Sequence, residues 1–153
     1  MTARRISGLD GLKELVGEEL GVSDWLEITQ ERVDRFADAT GDHQWIHVDR
    51  EMAEKHSPFG TTIAHGYLTI SLSPMLMAQV MQVEGVKMGV NYGLNKLRFP
   101  APVKVGGRVR LRATLNEVND IDGGAQVVTG MTFEIEGEDK PAGVAEAVAL
   151  YYF

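Results

Sequence analysis

Residues 66–82 constrain the fold more than any other segment. Tyr67, Leu68, Ile70, Leu72, Met75, Leu76, Met77, Val80 and Met81 point in every direction around a helix, mixed with small and uncharged residues. A helix with no polar face has to be surrounded by protein, so the rest of the chain must supply a wrapping for it. Pro74 removes one backbone hydrogen bond and predicts a kink.

The wrapping is legible downstream, where the period changes from that of a helix to that of a strand. Val109, Leu111, Ala113 and Leu115 alternate with Arg108, Arg110, Arg112 and Thr114, which is the pattern of a half-buried strand. Val127, Thr129, Met131, Phe133 and Ile135 repeat it after a turn at Asp122-Gly123-Gly124. Val144 to Phe153 is a further strand, with Ala145, Ala147 and Ala149 on one face leaving room for a helix to lie close. Asn91 to Phe99 is expected to be another, ended by Pro100 and Pro102. An antiparallel meander around one central helix is an α+β layout, and 153 residues fit one such domain, 1–153.

Upstream, Gly8 to Val16 predicts a short helix and Trp25 to Ile28 a short strand. Thr29 is a suitable N-cap, Glu31 lies favourably in the first turn, and Val33, Phe36, Ala37 and Thr40 keep helical spacing. Residues 30–40 should therefore form an amphipathic helix that stops at Gly41. A second short helix should start at the Asp49 cap and run to about Lys55, followed by a loop at Ser57-Pro58-Phe59-Gly60.

Several functional classes are disfavoured by composition. A net charge of −7 argues against nucleic acid, which needs clustered Lys and Arg. The absence of cysteine excludes disulfides, thiolate zinc sites and a Cys nucleophile. No apolar run is long enough to span a bilayer and Met1 to Ser7 lacks a signal-peptide core, so no membrane association and a cytoplasmic location are expected.

Chemistry concentrates where the Gln30–Thr40 helix stops. Asp42 and His47 lie five residues apart just after Gly41, where both can be held against the sheet as an acid/base pair. Trp45 and Ile46 between them offer an apolar wall, which would desolvate the Asp42 carboxyl and push its pKa up. His65-Gly66 opens the buried helix, whose first N–H groups have no partner inside it and can hold a developing oxyanion. His43 and His47 would share a helix face and could bind a metal with Asp42 or Asp49, but Gly41 argues against a helix there, and no metal is expected. His56 reads as an exposed helix-end residue. Arg108, Arg110 and Arg112 read as a solvated stripe partly paired with Glu134 and Glu136, in preference to a nucleotide-phosphate contact.

These residues resemble the MaoC-like dehydratases, the type 2 or (R)-specific enoyl-CoA hydratases, including the nodulation protein N-like branch. The likeness runs from about Val22 to Phe153. It rests on Ala39-Thr-Gly-Asp-His-Gln-Trp-Ile-His47, on Ala64-His-Gly-Tyr67, and on Leu97-Arg-Phe-Pro-Ala-Pro-Val103 followed by Gly106. The resemblance implies a hot-dog fold, a homodimer, and reversible hydration of trans-2-enoyl thioesters to (R)-3-hydroxyacyl thioesters. It implies Asp42 and His47 as the catalytic pair and the Gly66 N–H as oxyanion donor. His65, Gln44 and Phe99 join Gly66 as substrate-side residues. Many members carry Asn-Pro where this chain has Gln44-Trp45. No cofactor is implied beyond the coenzyme A or acyl-carrier pantetheine that arrives with the substrate. A hot-dog thioesterase is the rival enzyme, but it usually relies on a carboxylate on the central helix, and residues 66–82 contain no Asp or Glu. A non-catalytic acyl-CoA-binding protein is the other rival.

Overall fold

The computed structural model describes residues 2–153. In chain order the elements are β1 (Arg4–Ile6), α1 (Gly8–Glu14), β2 (Glu19–Val22), β3 (Leu26–Glu27), α2 (Gln30–Thr40), α3 (Trp45–Val48) and α4 (Arg50–His56). Then follow α5 (Gly66–Ser71), α6 (Ser73–Val80), β4 (Met81–Val83), β5 (Met88–Arg98), β6 (Arg108–Ile121), β7 (Gly124–Ile135) and β8 (Gly143–Tyr152).

The main sheet has six strands, ordered β2-β6-β7-β8-β5, with β3 also on β6. Its long pairings are antiparallel. Strands β6, β7 and β8 form the expected meander, but β5 does not neighbour β6. It lies at the far edge, paired with β8 from Met88↔Tyr152 to Arg98↔Val144. A small parallel ladder of β1 on β4 ties the N-terminus to the end of the central helix, and no periodic signal foretold it.

The sheet curls around α5 and α6 in the hot-dog arrangement. The expected single helix is two. Its backbone breaks at Leu72, whose N–H bonds back to Leu68, and Leu72 then accepts from Leu76 to open α6. The break places Pro74 in the first turn of α6, where a missing N–H costs nothing. The helical run also ends at Val80, and Met81 is already extended. Leu68, Leu72 and Leu76 pack into one core cluster with Val109, Leu111, Met131 and Phe133. Val80 and Met81 pack into another with Leu12, Leu20, Leu115 and Val127, and Met77 touches both. Burying a leucine such as Leu76 stabilises the fold by roughly 1.5–3 kcal/mol. The helical pair is not buried all round, because Tyr67 and Met75 stay exposed in the protomer.

Three further features position the site. The Thr29 hydroxyl accepts from Arg32 N–H to start α2, and Gly41 stops it at φ 83°. Asp42 therefore leaves the helix in a fixed direction. Residues 62–64 are laced on both sides: Ile63 N–H to Ile46 C=O, Val105 N–H to Thr62 C=O, and Ala64 N–H to Val103 C=O. Among the described residues no helix is long and apolar enough to cross a membrane.

Candidate active site

One stretched segment and one helix start bring the predicted residues together. His47 sits in the single turn of α3 and is 7% exposed. Its Nδ1 lies 2.7 Å from the Ile63 carbonyl oxygen. A carbonyl only accepts, so Nδ1 carries the proton and Nε2 presents its lone pair. Burial lowers the His47 pKa, helped by the neighbouring His65 and opposed by the Ile63 bond and by Asp42. The ring is thus held neutral, with the Nε2 lone pair free to accept a proton.

His65 is more deeply enclosed, at 2% exposed. It stacks on His47 with ring centroids 3.8 Å apart and meets the Phe36 ring at 4.8 Å. Its Nε2 lies 3.0 Å from the Asp42 main-chain oxygen, so that nitrogen carries the proton. Its Nδ1 is buried without a hydrogen-bond partner among the described residues. The Asp42 side chain is half-exposed, 4.0 Å from His65 Nε2, and it accepts from Gln44 N–H at 3.3 Å. Trp45 and Ile46 do not close over Asp42, so the expected desolvation of its carboxyl does not occur in the protomer. Gln44 uses its backbone to orient Asp42, and the residue itself is exposed.

One ligand-type atom from each of Asp42, His47 and His65 lies within 4.8 Å of the others. A gap of that size is bridged by one water making two hydrogen bonds of about 2.8 Å. The group suits a metal less well. A metal about 2.0 Å from each nitrogen must lie near both ring planes, and two stacked rings direct their lone pairs side by side. His43 is turned away to Asp38 at 2.9 Å, and that bond raises its pKa. It shares no helix with His47. His56 ends α4, exposed.

The start of α5 provides the donor side. The N–H groups of Gly66 and Tyr67 meet no acceptor among the described residues, whereas Leu68 and Thr69 bond to the His65 carbonyl. Phe99 lies over Gly66, and a Cβ there would come within 2.6–2.9 Å of the Phe99 ring. The glycine is therefore required by packing. Tyr67 meets the same ring edge-on at 6.1 Å.

Two supporting residues escaped the sequence reading. The Gln30 amide donates to the His47 carbonyl at 2.8 Å and to Asp34 at 2.9 Å, while its oxygen accepts from the Thr62 hydroxyl at 2.6 Å. A glutamine in the first turn of a helix carries no signal of a partner 32 positions away. The arginine stripe is spent in ion pairs: Arg110 and Arg112 with Glu134, Arg112 with Glu19, and Arg108 with Glu136. Arg110 also lies 4.4 Å above the Trp25 ring.

A groove of about 770 Å³ opens one turn beyond Gly66. It runs from Ile70 past Met77 to Met81, between the helical pair and β5, β7 and β8. Asp42, His47, Gly66 and Phe99 are not in its lining, so the groove begins beyond the α5 start and the acid/base cluster lies outside it.

Comparison with known proteins places this geometry. The 3-hydroxyacyl-thioester dehydratase Z of Mycobacterium tuberculosis is 54% identical over 149 residues, covering 97% of this chain and 98% of the relative. The nodulation protein N of Rhizobium leguminosarum bv. viciae is 47% identical, covering 90% and 87%. The structure of the (R)-hydratase from A. caviae, involved in PHA biosynthesis, superposes with a TM-score of 0.69 at 25% identity, covering 88% and 94%. Residues 12–136 match the MaoC like domain, and the chain belongs to that family.

Proposed function

We propose that this protein is a hydro-lyase that reversibly hydrates trans-2-enoyl thioesters to (R)-3-hydroxyacyl thioesters, with Asp42 and His47 as the catalytic pair. The observation that carries the reading is the His47 tautomer. Ile63 holds the proton on Nδ1 and leaves Nε2 bare, and one ring nitrogen of His47 lies within 4.8 Å of an Asp42 carboxylate oxygen. The names of the relatives just given point to the same chemistry.

In the hydration direction, a water lies between the Asp42 carboxylate and His47 Nε2. Nε2 takes one proton as the water oxygen bonds to C3. The C2=C3 electron pair moves towards the thioester, whose oxygen gains charge and is held by the Gly66 N–H. The proton taken by Nε2 is then returned to C2 on the same face, so H and OH are added and nothing else is consumed. Proton transfer of this kind contributes about two to four orders of magnitude in rate. The balance calls for no further cofactor. Coenzyme A or an acyl-carrier pantetheine enters as part of the substrate, and the acyl group continues past Gly66 and Phe99 into the groove.

The working unit in this reading is a homodimer of single-domain chains. Strand β5 offers an unpaired edge eleven residues long, with Met88, Val90, Tyr92 and Leu94 exposed. An edge of that length and composition is a hazard unless paired. A second copy on it continues the sheet and roofs the groove.

The test follows loss of the conjugated enoyl absorbance with crotonyl-CoA and assigns the product by chiral analysis. The (R) product is expected. Release of free thiol without hydration would identify a thioesterase instead.

A further inference from the structure

The groove has a polar end that the hydration reaction does not use. Residues Ala145, Ala147, Ala149 and Tyr151 alternate along β8 on the face towards the helices. The alanines keep the floor of the groove low, and Tyr151 stands at its far end among Met81, Val83, Val86 and Gly89. Gly89 faces Tyr151 across the β5–β8 ladder, and a Cβ there would be in ordinary contact with the phenol ring at 3.5 Å. The Tyr151 hydroxyl makes no hydrogen bond among the described residues. Burial pushes its pKa up, so it remains a neutral phenol that donates and accepts. The hydroxyl oxygen itself is not fully buried, so in the protomer it is water that satisfies it. Of the hydroxyls nearer α5, that of Ser71 is bonded to the Tyr67 carbonyl, and those of Ser73 and Thr129 lie short of the far end.

The distance from the reacting end fixes what reaches the phenol. From Gly66 to Met81 the helical pair rises roughly 22 Å at about 1.5 Å per residue. Along the sheet, Leu97 faces Ala145, and Ala145 to Tyr151 spans roughly 20 Å at about 3.3 Å per residue. An extended chain advances about 1.2 Å per bond, so spans of roughly 20 to 22 Å correspond to roughly sixteen to eighteen bonds from the thioester.

We propose that Tyr151 is a specificity residue, and that the groove selects long acyl groups bearing an oxygen function, a hydroxyl or carbonyl, near the distal end. The idea rests on the hydratase reading for the identity of the thioester. An all-alkyl chain of that length strips water from the phenol and gives it no partner, while a terminal oxygen supplies one. Thr129, on the floor midway along, serves only shorter reach.

The experiment measures binding of saturated acyl-CoAs of about four to twenty carbons, in pairs with and without a terminal hydroxyl, by calorimetry. Turnover of the matching trans-2-enoyl-CoAs is followed alongside. At the lengths that reach Tyr151 the hydroxylated ligand is expected to bind about tenfold tighter than its alkyl partner, the scale of one buried hydrogen bond. Tyr151→Phe should erase that preference. No preference at any length, or the same preference in Tyr151→Phe, overturns the assignment. Failure of every enoyl-CoA to be hydrated overturns the hydratase reading instead, and the paired binding data still decide the role of Tyr151.

Discussion

The His47 and His65 rings lie face to face, 3.8 Å between centroids and 24° between planes. Each is held there by a main-chain carbonyl, His47 by that of Ile63 and His65 by that of Asp42. Protonating one ring therefore places a charge against the other. The arrangement favours a state in which His47 is neutral.

Removing the two groups that hold and deprotonate the water is the first prediction. Asp42→Asn and His47→Gln should each lower hydration by at least about a hundredfold while keeping the fold, since each retains approximate shape, the first losing the carboxylate that orients the water and the second the proton acceptor. Circular dichroism and steady-state kinetics on crotonyl-CoA check both halves. Near wild-type turnover in either variant removes that residue from the mechanism.

A second prediction concerns pH. The folded pKa of His47 is lowered, by burial first and by His65 next. The acid limb of kcat/KM for hydration should therefore lie below the ordinary histidine value of about 6.5. The same shift acts on stability. Above the unfolded-state value both states are neutral at this site and nothing changes. As pH falls from there to the folded value, the unfolded state binds the proton first and stability declines. His65→Phe keeps an aromatic ring in the stack and removes the influence of His65 that lowers the His47 pKa, so the acid limb should move up. Its stability should change little, because the orphaned Nδ1 disappears while the Asp42 carbonyl loses its donor. An acid limb at or above the ordinary value in the wild type contradicts this account.

The oxyanion donor has to be tested with Phe99 cleared away. Any side chain at position 66 meets the Phe99 ring, so Gly66→Ala and Gly66→Pro both disturb packing as well as chemistry. In a Phe99→Ala background the added methyl of Gly66→Ala should cost little further activity. Gly66→Pro, which also deletes the N–H, should cost about two to three orders of magnitude in turnover. A double-mutant cycle on kcat separates the two effects. Equal losses for Ala and Pro in that background would mean the N–H holds no charge.

The free edge makes an assembly prediction. Tyr92 and Leu94 are exposed on β5. A charge there opposes strand pairing, as natural edges show. Leu94→Lys should convert a dimer to a monomer by light scattering at micromolar concentration. A wild-type protein that is already monomeric and fully active excludes the shared sheet.

What could be read from the sequence was local. Thr29 and Gly41 bound α2 because a cap and a left-handed stop act within one turn, and that boundary aims Asp42. Alternation placed β6, β7 and β8 because adjacent strands joined by short turns pair with each other. The position of β5 was not local: its register is set by β8, some fifty residues later. The Gln30–Thr62 bond and the β1–β4 ladder are likewise contacts between distant segments. The kink at Pro74 was foreseen, but the backbone resolved it two residues earlier, where the proline becomes harmless. Asp42 is exposed while Trp45 and Ile46 are only half-buried, an outcome of packing that spacing alone does not determine.

The lacing of residues 62–64 has a consequence for how such a chain can diversify. Thr62, Ile63 and Ala64 all hold backbone bonds on the His47 side or to the 103–105 loop, which leaves that half of the pocket little slack. The other half is lined by Met77, Met81 and Met131, whose unbranched thioethers re-rotate at low cost. Inheritance can thus rewrite the diet of the protein on one side of Gly66 and leave the handling of the proton untouched on the other.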